Sequence, residues 1–208
     1  AFKEVRLKTR VGKMATSGKQ IKVESETDGQ KKVELYDRVL VAVGRAPNAD
    51  DLGLENTKVS FDEKGFIHVN EKQQTTDPAI YAIGDIAGGV LLAHKATKEG
   101  RIAVEVIVGE ESAFVDVTIP AVVFTDPEIA WCGLTEAEAK AKGIAVQVSK
   151  FPWAASGRAL TFDRPEGLTK LIIEPDTERI LGVGIVGQGA GELIAEGVLA
   201  VEMGATAK

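Results

Sequence analysis

Cysteine is almost absent: Cys132 stands alone in 208 residues. One thiol excludes an internal disulfide framework, a CxxC zinc site and any catalytic dithiol within this chain. Histidine is nearly as scarce, and His68 and His94 cannot build a multi-histidine metal site. No apolar run approaches the roughly 20 residues that a membrane span needs. The stretch from Ala1 to Arg10 is charged and alternating, unlike a signal peptide. A basic tract is missing too. With 25 Lys+Arg against 31 Asp+Glu, the formal charge is −6, which argues against a nucleic-acid or anionic-membrane partner. These absences together predict a cytoplasmic, reduced protein. Aromatics are sparse at 5%, but 44% hydrophobic and 27% charged residues are ordinary for a soluble globular chain and exclude disorder. The length fits one large domain or two small ones. Glycine is the residue in surplus: 22 of them predict many tight turns or close backbone approaches.

Alternation marks the first segment as sheet. Val5 and Leu7, Ile21 and Val23, and Val33 and Leu35 each alternate with polar neighbours. Asp28-Gly29 supplies the positive φ of a tight hairpin turn, so an antiparallel hairpin with one solvated face is expected. Arg38 to Gly44 is a near-continuous apolar run of the kind buried on both faces, broken by Gly44-Arg45-Ala46-Pro47-Asn48. Further on, Asp62-Glu63-Lys64-Gly65 reads as a turn before a short strand through Phe66, Ile67 and Val69. Ala79 to Ile83 reads as another buried strand. From His94 to Val108 the spacing is helical, with Ala96, Ile102, Ala103, Val106 and Ile107 on one side and Gly109 as a stop.

The last third predicts α+β structure. Thr135-Glu136-Ala137-Glu138 fits a capping box for a helix that ends at Gly143. Strands are expected around Val146 to Phe151, Leu168 to Glu174 and Ile180 to Val186, the last two joined through Pro175 to Glu178. Residues 191–203 predict a final helix stopped by Gly204.

Two strand ends have the form expected beside a ligand. Leu40-Val41-Ala42-Val43-Gly44-Arg45 and Ile80-Tyr81-Ala82-Ile83-Gly84-Asp85 each run from an apolar strand into Gly and a charged residue. Ligands bind beyond the carboxyl ends of strands in open sheets, and Gly lets a ligand touch the backbone. Asp85 is suited to accept hydrogen bonds from sugar or sugar-alcohol hydroxyls. Gly88-Gly89 then lead to a helix start near His94, where free N–H groups favour an anionic or electron-rich ligand. The plainer alternative is two strand-to-loop turns with solvated charges, and His94 alone suits capping or packing better than catalysis.

Thr76-Asp77-Pro78-Ala79-Ile80-Tyr81-Ala82-Ile83-Gly84-Asp85 resembles the second FAD-binding motif of flavoprotein disulfide reductases. Leu91-Leu92-Ala93-His94-Lys95-Ala96 narrows the resemblance to the dihydrolipoamide dehydrogenases. The runs from Phe124 to Glu136 and from Phe151 to Ala159 resemble the dimer-interface domain of the same family. Several motifs in the right order, spread over essentially the whole chain, make the match specific. The resemblance implies an α/β and α+β fold in three parts. Residues 1–49 would be the tail of a Rossmann-like NAD-binding domain. Residues 50–116 would be the central, FAD-contacting segment. Residues 117–208 would be most of an α+β dimerisation domain with antiparallel sheet. It also implies roles. Gly84 and Asp85 would hold FAD, with Asp85 on the ribitol. Leu91, Leu92, Ala93 and His94 would lie against the isoalloxazine pyrimidine edge. The helix after them would stabilise negative charge on the reduced ring. Ala42, Val43, Gly44 and Arg45 would line the NAD site. The implied partners are a second copy, through 117–208, and the lipoyl domains of a 2-oxo acid dehydrogenase complex.

The family's chemistry also needs a CxxxxC pair, two GxGxxG loops and a His-Pro base with a Glu partner. None is matched here, so this chain is expected to be part of a protein more than twice as long, and inactive by itself. Gly182-Val183-Gly184-Ile185-Val186-Gly187 does match GxGxxG, but no strand with an acidic residue follows it. These glycines are read as strand packing against the last helix. Cys132 is read as a small buried hydrophobe. Phe151, Trp153 and Phe162 are read as core or interface packing, and Glu136, Glu138, Lys140 and Lys142 as a solvated helix face. Two other readings stand beside the dehydrogenase: a non-catalytic dimerisation module, and a related reductase acting on another disulfide or a metal ion.

Overall fold

Asp28 and Gly29 take φ of 51° and 78°, both in the left-handed region that a two-residue hairpin turn demands. They join β2 (Gln20–Thr27) to β3 (Gln30–Tyr36), and β1 (Thr9–Ser17) pairs with the other edge of β2 to complete a three-stranded antiparallel sheet. The computed structural model describes residues 2–115 and 117–208 and divides into two units, Ala1–Arg45 and Ala46–Lys208. Ala1 and Asp116, which bound stretches named above, lie outside the described residues.

Two expectations for the first unit are corrected. Val5 and Leu7 precede the sheet instead of forming its first strand. Arg38 to Gly44 forms no strand, and Leu40 and Val43 are 91% and 92% exposed. The apolar composition is that of a buried strand. A strand exists only through its ladder, however, and nothing among the described residues pairs with this one.

In the second unit, Asp62 organises its turn: its Oδ1 accepts from the N–H groups of Lys64 and Phe66 at 2.8 and 2.9 Å. Those bonds, that to Phe66 foremost, hold its carboxyl below the usual range. The strands expected at 66–69 and 79–83 reduce to single bridges, Phe61 with Ile67, Val69 with Thr75 and Gln74 with Tyr81. A 3-10 turn, Gly84–Ala87, leads into α1 (Ala93–Ile107), which Gly109 ends at φ 91°. Ile102 and Ala103 are buried as expected, but Ile107 is exposed at the edge of the stripe.

The remainder is one five-stranded antiparallel sheet in the order β4-β5-β8-β7-β6. Its strands are β4 (Ala121–Val123), β5 (Glu128–Gly133), β6 (Gln147–Pro152), β7 (Leu168–Ile173) and β8 (Ile180–Gly187). Sequence patterning had shown neither β4 nor β5. The capping box at Thr135 is present in full on α2 (Glu136–Lys142), closed by Gly143 in the left-handed region. A short α3 (Gly157–Thr161) follows β6, and α4 (Ala190–Glu202) packs over β5 and β8. Ala130, Cys132, Ile180, Val183, Ile185, Ala190 and Ile194 form the core between sheet and helix. Gly197 lets α4 settle onto Val183, since a Cβ there would come within 3.0 Å of it. Each buried aliphatic side chain contributes about 1.5–3 kcal/mol.

The GxGxxG run lies in β8, so it cannot open a helix. Its glycines do pack closely, though against Leu134 and Trp153, not against α4. Trp153 is half-buried beside that core and donates its Nε1–H to Thr169 Oγ1 at 2.9 Å. Phe151 and Phe162 are exposed and take no part in the core. Arg158 stacks over Phe162 at 3.9 Å.

Cys132 is 2% exposed, and burial pushes its thiol up to about 11. A raised thiol pKa favours the neutral folded form. Its stabilisation is therefore complete below the unfolded value near 9 and is lost as pH rises through about 11. A maleimide at pH 8 is expected to label Cys132 only after denaturation. Full labelling of the native protein would contradict this burial. No helix among the described residues is long and apolar enough to cross a membrane.

Candidate functional site

Two left-handed glycines bracket the turn that carries Asp85: Gly84 at φ 78° and Gly88 at φ 77°. Gly84 is buried, and a Cβ on it would sit 3.2 Å from the Ala96 side chain. A Cβ on Gly100 would come within 3.1 Å of Ile83. These two glycines thus let the segment Ile83–Asp85 lie directly on α1. Asp85 is half-buried in the first turn of the 3-10 segment, where its carbonyl accepts from Gly88 N–H at 3.2 Å. On the other side, Ile67 N–H donates to Ile86 O at 2.9 Å.

The turn is fastened to the helix by an ion pair that sequence reasoning missed. Lys95 Nζ donates to Glu99 Oε1 at 2.7 Å, to Gly88 O at 2.8 Å and to Gly84 O at 3.4 Å. Glu99 Oε2 accepts from Gly84 N–H at 2.7 Å. Lys95 and Glu99 are 3% and 5% exposed. At i,i+4 they look in sequence like an ordinary surface pair. The available signal was phase, because at 100° per residue positions 95 and 99 fall on the stripe of Ile102 and Ala103.

The first turn of α1 is electropositive by construction. Leu92, its N-cap, is extended and supplies no side-chain cap, and the first turn contains no acidic residue. The first internal bond is Ala96 N–H to Leu92 O at 3.1 Å, so the N–H groups of Ala93, His94 and Lys95 have no partner within the helix. Leu91 and Leu92 are half-buried, whereas Ala93 and His94 are exposed. His94 Nε2 donates to the Pro120 carbonyl, which fixes the protonated ring nitrogen. Because Lys95 grips both ends of the Gly84–Gly88 turn, the fold brings Gly84, Asp85 and the helix start together.

Ala42, Val43, Gly44 and Arg45 belong to the other unit and are exposed, in a segment without regular structure. Gly44 has φ 123°, and a Cβ there would meet nothing within 4 Å. Its approach is open, but no cradle surrounds it. Among the described residues, no three His, Cys, Asp or Glu side chains gather as a metal site.

Glu128, also unmarked by sequence reasoning, accepts from the Gly191 N–H at 2.9 Å. It caps α4 from β5, because Gly189 offers no side-chain cap.

Residues 3–100 match a family model described as pyridine nucleotide-disulphide oxidoreductase. Residues 119–208 match the dimerisation domain of the same group. Among curated proteins, a dihydrolipoyl dehydrogenase of Haemophilus influenzae is 46% identical over 97% of this chain and 42% of its own length. One from Buchnera aphidicola subsp. Acyrthosiphon pisum is 52% identical over 86% of this chain and 38% of its own length. Among solved structures, LpdA of Mycobacterium tuberculosis superposes with a TM-score of 0.86 at 29% identity, covering 95% of this chain and 43% of that one. RclA of Escherichia coli, a flavoprotein disulfide reductase induced by HOCl, gives 0.83 at 27% identity, covering 95% and 45%. The chain spans less than half the length of the curated relatives it matches.

Proposed function

The chain belongs to the pyridine nucleotide-disulphide oxidoreductases, and from that premise we propose that it is the C-terminal portion of an FAD-dependent dihydrolipoyl dehydrogenase. The curated relatives of that name support the activity. The observation that carries the site is the Gly84–Gly88 turn, locked to the start of α1 by Lys95 and Glu99. It holds a carboxylate and a helix N-terminus on one rigid loop.

Those residues fit FAD. Bound there, FAD would supply two-electron redox chemistry. Asp85 would accept hydrogen bonds from the ribitol hydroxyls. Leu91 and Leu92 supply an apolar wall and exclude water. The N–H groups of Ala93 and His94 stabilise negative charge at the helix start. The Nε2–H of His94 is committed to the Pro120 carbonyl, so this ring tethers the start of α1 to that segment. Ala42, Val43, Gly44 and Arg45 are proposed to line the NAD site, a role supported by the pyridine nucleotide-disulphide oxidoreductase match over residues 3–100.

Residues 1–49 are proposed as the tail of the NAD domain, 50–116 as the central segment and 117–208 as the interface domain. The division after Arg45 and the family model starting at 119 support these bounds. The match to a dimerisation domain supports homodimer formation through 117–208. Lipoyl domains of a 2-oxo acid dehydrogenase complex are the proposed donors of dihydrolipoamide. The proposed setting is cytoplasmic, and no helix among the described residues is long and apolar enough to cross a membrane. The identities of 46% and 52% to dihydrolipoyl dehydrogenases, against 27% to RclA, favour lipoamide over another disulfide.

A polypeptide limited to these residues has one cysteine and turns over no dihydrolipoamide. The full-length protein is expected to be yellow and to reduce NAD with dihydrolipoamide. In it, Asp85→Ala is expected to weaken FAD binding about 10–100-fold, since a hydrogen bond to a charged group contributes about 1.5–3 kcal/mol. Wild-type FAD affinity in that variant would remove Asp85 from the site. A colourless full-length protein would overturn the reading.

A further inference from the structure

Lys95 spends all three ammonium donors on one small region. Two go to the carbonyls of Gly84 and Gly88, and the third goes to Glu99. Glu99 uses its second oxygen on the Gly84 N–H. The pair therefore holds both ends of the turn that contains Asp85. It does so from the helix whose N-terminus forms the other half of the site.

The turn needs such a hold. Gly84 and Gly88 both sit at positive φ, and glycine without a restraint samples many conformations. An apolar pair would fill the same volume, and replacing a buried ion pair by apolar residues is often neutral for stability. What an apolar pair cannot do is bond a backbone N–H and two backbone carbonyls. The choice of Lys and Glu is thus explained by the geometry of the turn, not by the packing of α1.

We propose that Lys95 and Glu99 are positioning residues for the flavin: a buried clamp that keeps the Asp85 carboxylate in fixed register with the first turn of α1. This inference rests on the FAD reading of the site. It adds that the affinity of that site is set by two side chains that do not touch the cofactor.

The test uses the full-length apoprotein titrated with FAD and followed by flavin fluorescence quenching. Lys95→Met/Glu99→Leu removes both charges at once, so no unpaired charge is left buried. It is expected to weaken FAD binding at least about tenfold while the apoprotein still unfolds cooperatively, at a temperature lowered by the backbone groups left unpaired at Gly84 and Gly88. It should also shift the visible bands of bound flavin, a change that a purely structural pair would not cause. The control is Arg101→Met/Glu105→Leu, an i,i+4 pair on the exposed side of the same helix with Arg101 74% exposed. That control should bind FAD as wild type does.

Wild-type FAD affinity in Lys95→Met/Glu99→Leu would overturn the proposal, as would an equal loss in the control. If the first variant does not fold, Lys95→Gln/Glu99→Gln leaves no buried charge but gives up part of the clamp, because glutamine is one bond shorter than lysine and offers two donors where Lys95 uses three. It should bind FAD more weakly than wild type, and undiminished affinity would again overturn the clamp. Asp85→Ala separates the two levels. If that variant binds FAD normally, the site assignment falls and the clamp with it. If it binds weakly while the Lys95/Glu99 variant binds normally, only the clamp falls.

Discussion

Gly182→Ala is expected to destabilise the sheet of the 117–208 segment by about 3 kcal/mol or more, at the upper end of overpacking effects. A Cβ on Gly182 would stand 2.0 Å from Leu134 O and 2.9 Å from the Leu134 backbone C and N. All three are backbone atoms, so no rotamer change relieves the clash. Gly182 pairs with Gly133 across β5 and β8, and a Cβ on Gly133 would reach 2.3 Å from Leu181 O at φ 67°. Just beyond them Leu134 N–H donates to Leu181 O at 2.8 Å. Separating the strands to admit a methyl group would break that bond and pull Cys132 and Val183 out of the core. Gly184→Ala is the internal control. Its Cβ would meet only the Lys170 Cβ at 4.0 Å, without positive φ. That change should be neutral, or stabilising by about 0.4–1 kcal/mol through the unfolded chain. Urea unfolding of the two variants checks the contrast, and equal midpoints would show that the close approach is not real.

The same six residues illustrate what a sequence shows and what it hides. Gly182 to Gly187 matches a dinucleotide motif in letters, yet each tight glycine answers a neighbour far away in sequence: Leu134 for Gly182, Trp153 for Gly187. The lack of a following strand was enough to reject the cofactor reading, but nothing local could name the true contacts. Local chemistry was readable wherever structure is local. The Asp28-Gly29 turn, the Thr135 capping box and the Gly143 stop depend on residues within a few positions, and all three are present. The β7–β8 hairpin was readable for the same reason. β4 and β5 were not, because neither strand's pattern carries clean alternation; they exist through their ladder, and β5 pairs with β8. Arg38 to Gly44 failed in the opposite sense. Its composition suits a buried strand, but burial is a property of neighbours, and the described residues supply none. At the candidate site, Gly84 and Asp85 were visible as a strand-end signature. Lys95 and Glu99 were not, because charge suggests solvent unless helical phase is weighed against it.

Lys95→Met alone is expected to cost about 3–5 kcal/mol in apoprotein stability, because it leaves the Glu99 carboxylate buried with the Gly84 N–H and no counter-charge. Adding Glu99→Leu should recover the part of that loss due to the unpaired charge, leaving the cost of the unbonded Gly84 and Gly88 backbone groups. The two single changes would then sum to far more than the double, which is the signature of coupled groups. The Arg101–Glu105 pair at the same helical spacing should show far weaker coupling, since water screens it. A double-mutant cycle by denaturant unfolding makes both measurements. Additive effects at Lys95 and Glu99 would mean that the pair is solvated in solution and does not grip the turn. Strong coupling with a stable double variant would carry a sharper meaning. It would show that the pair is costly to break but dispensable for folding. The reason for a Lys and a Glu at these positions would then lie in the three backbone groups they hold beside Asp85, and hence in the ligand that this turn receives.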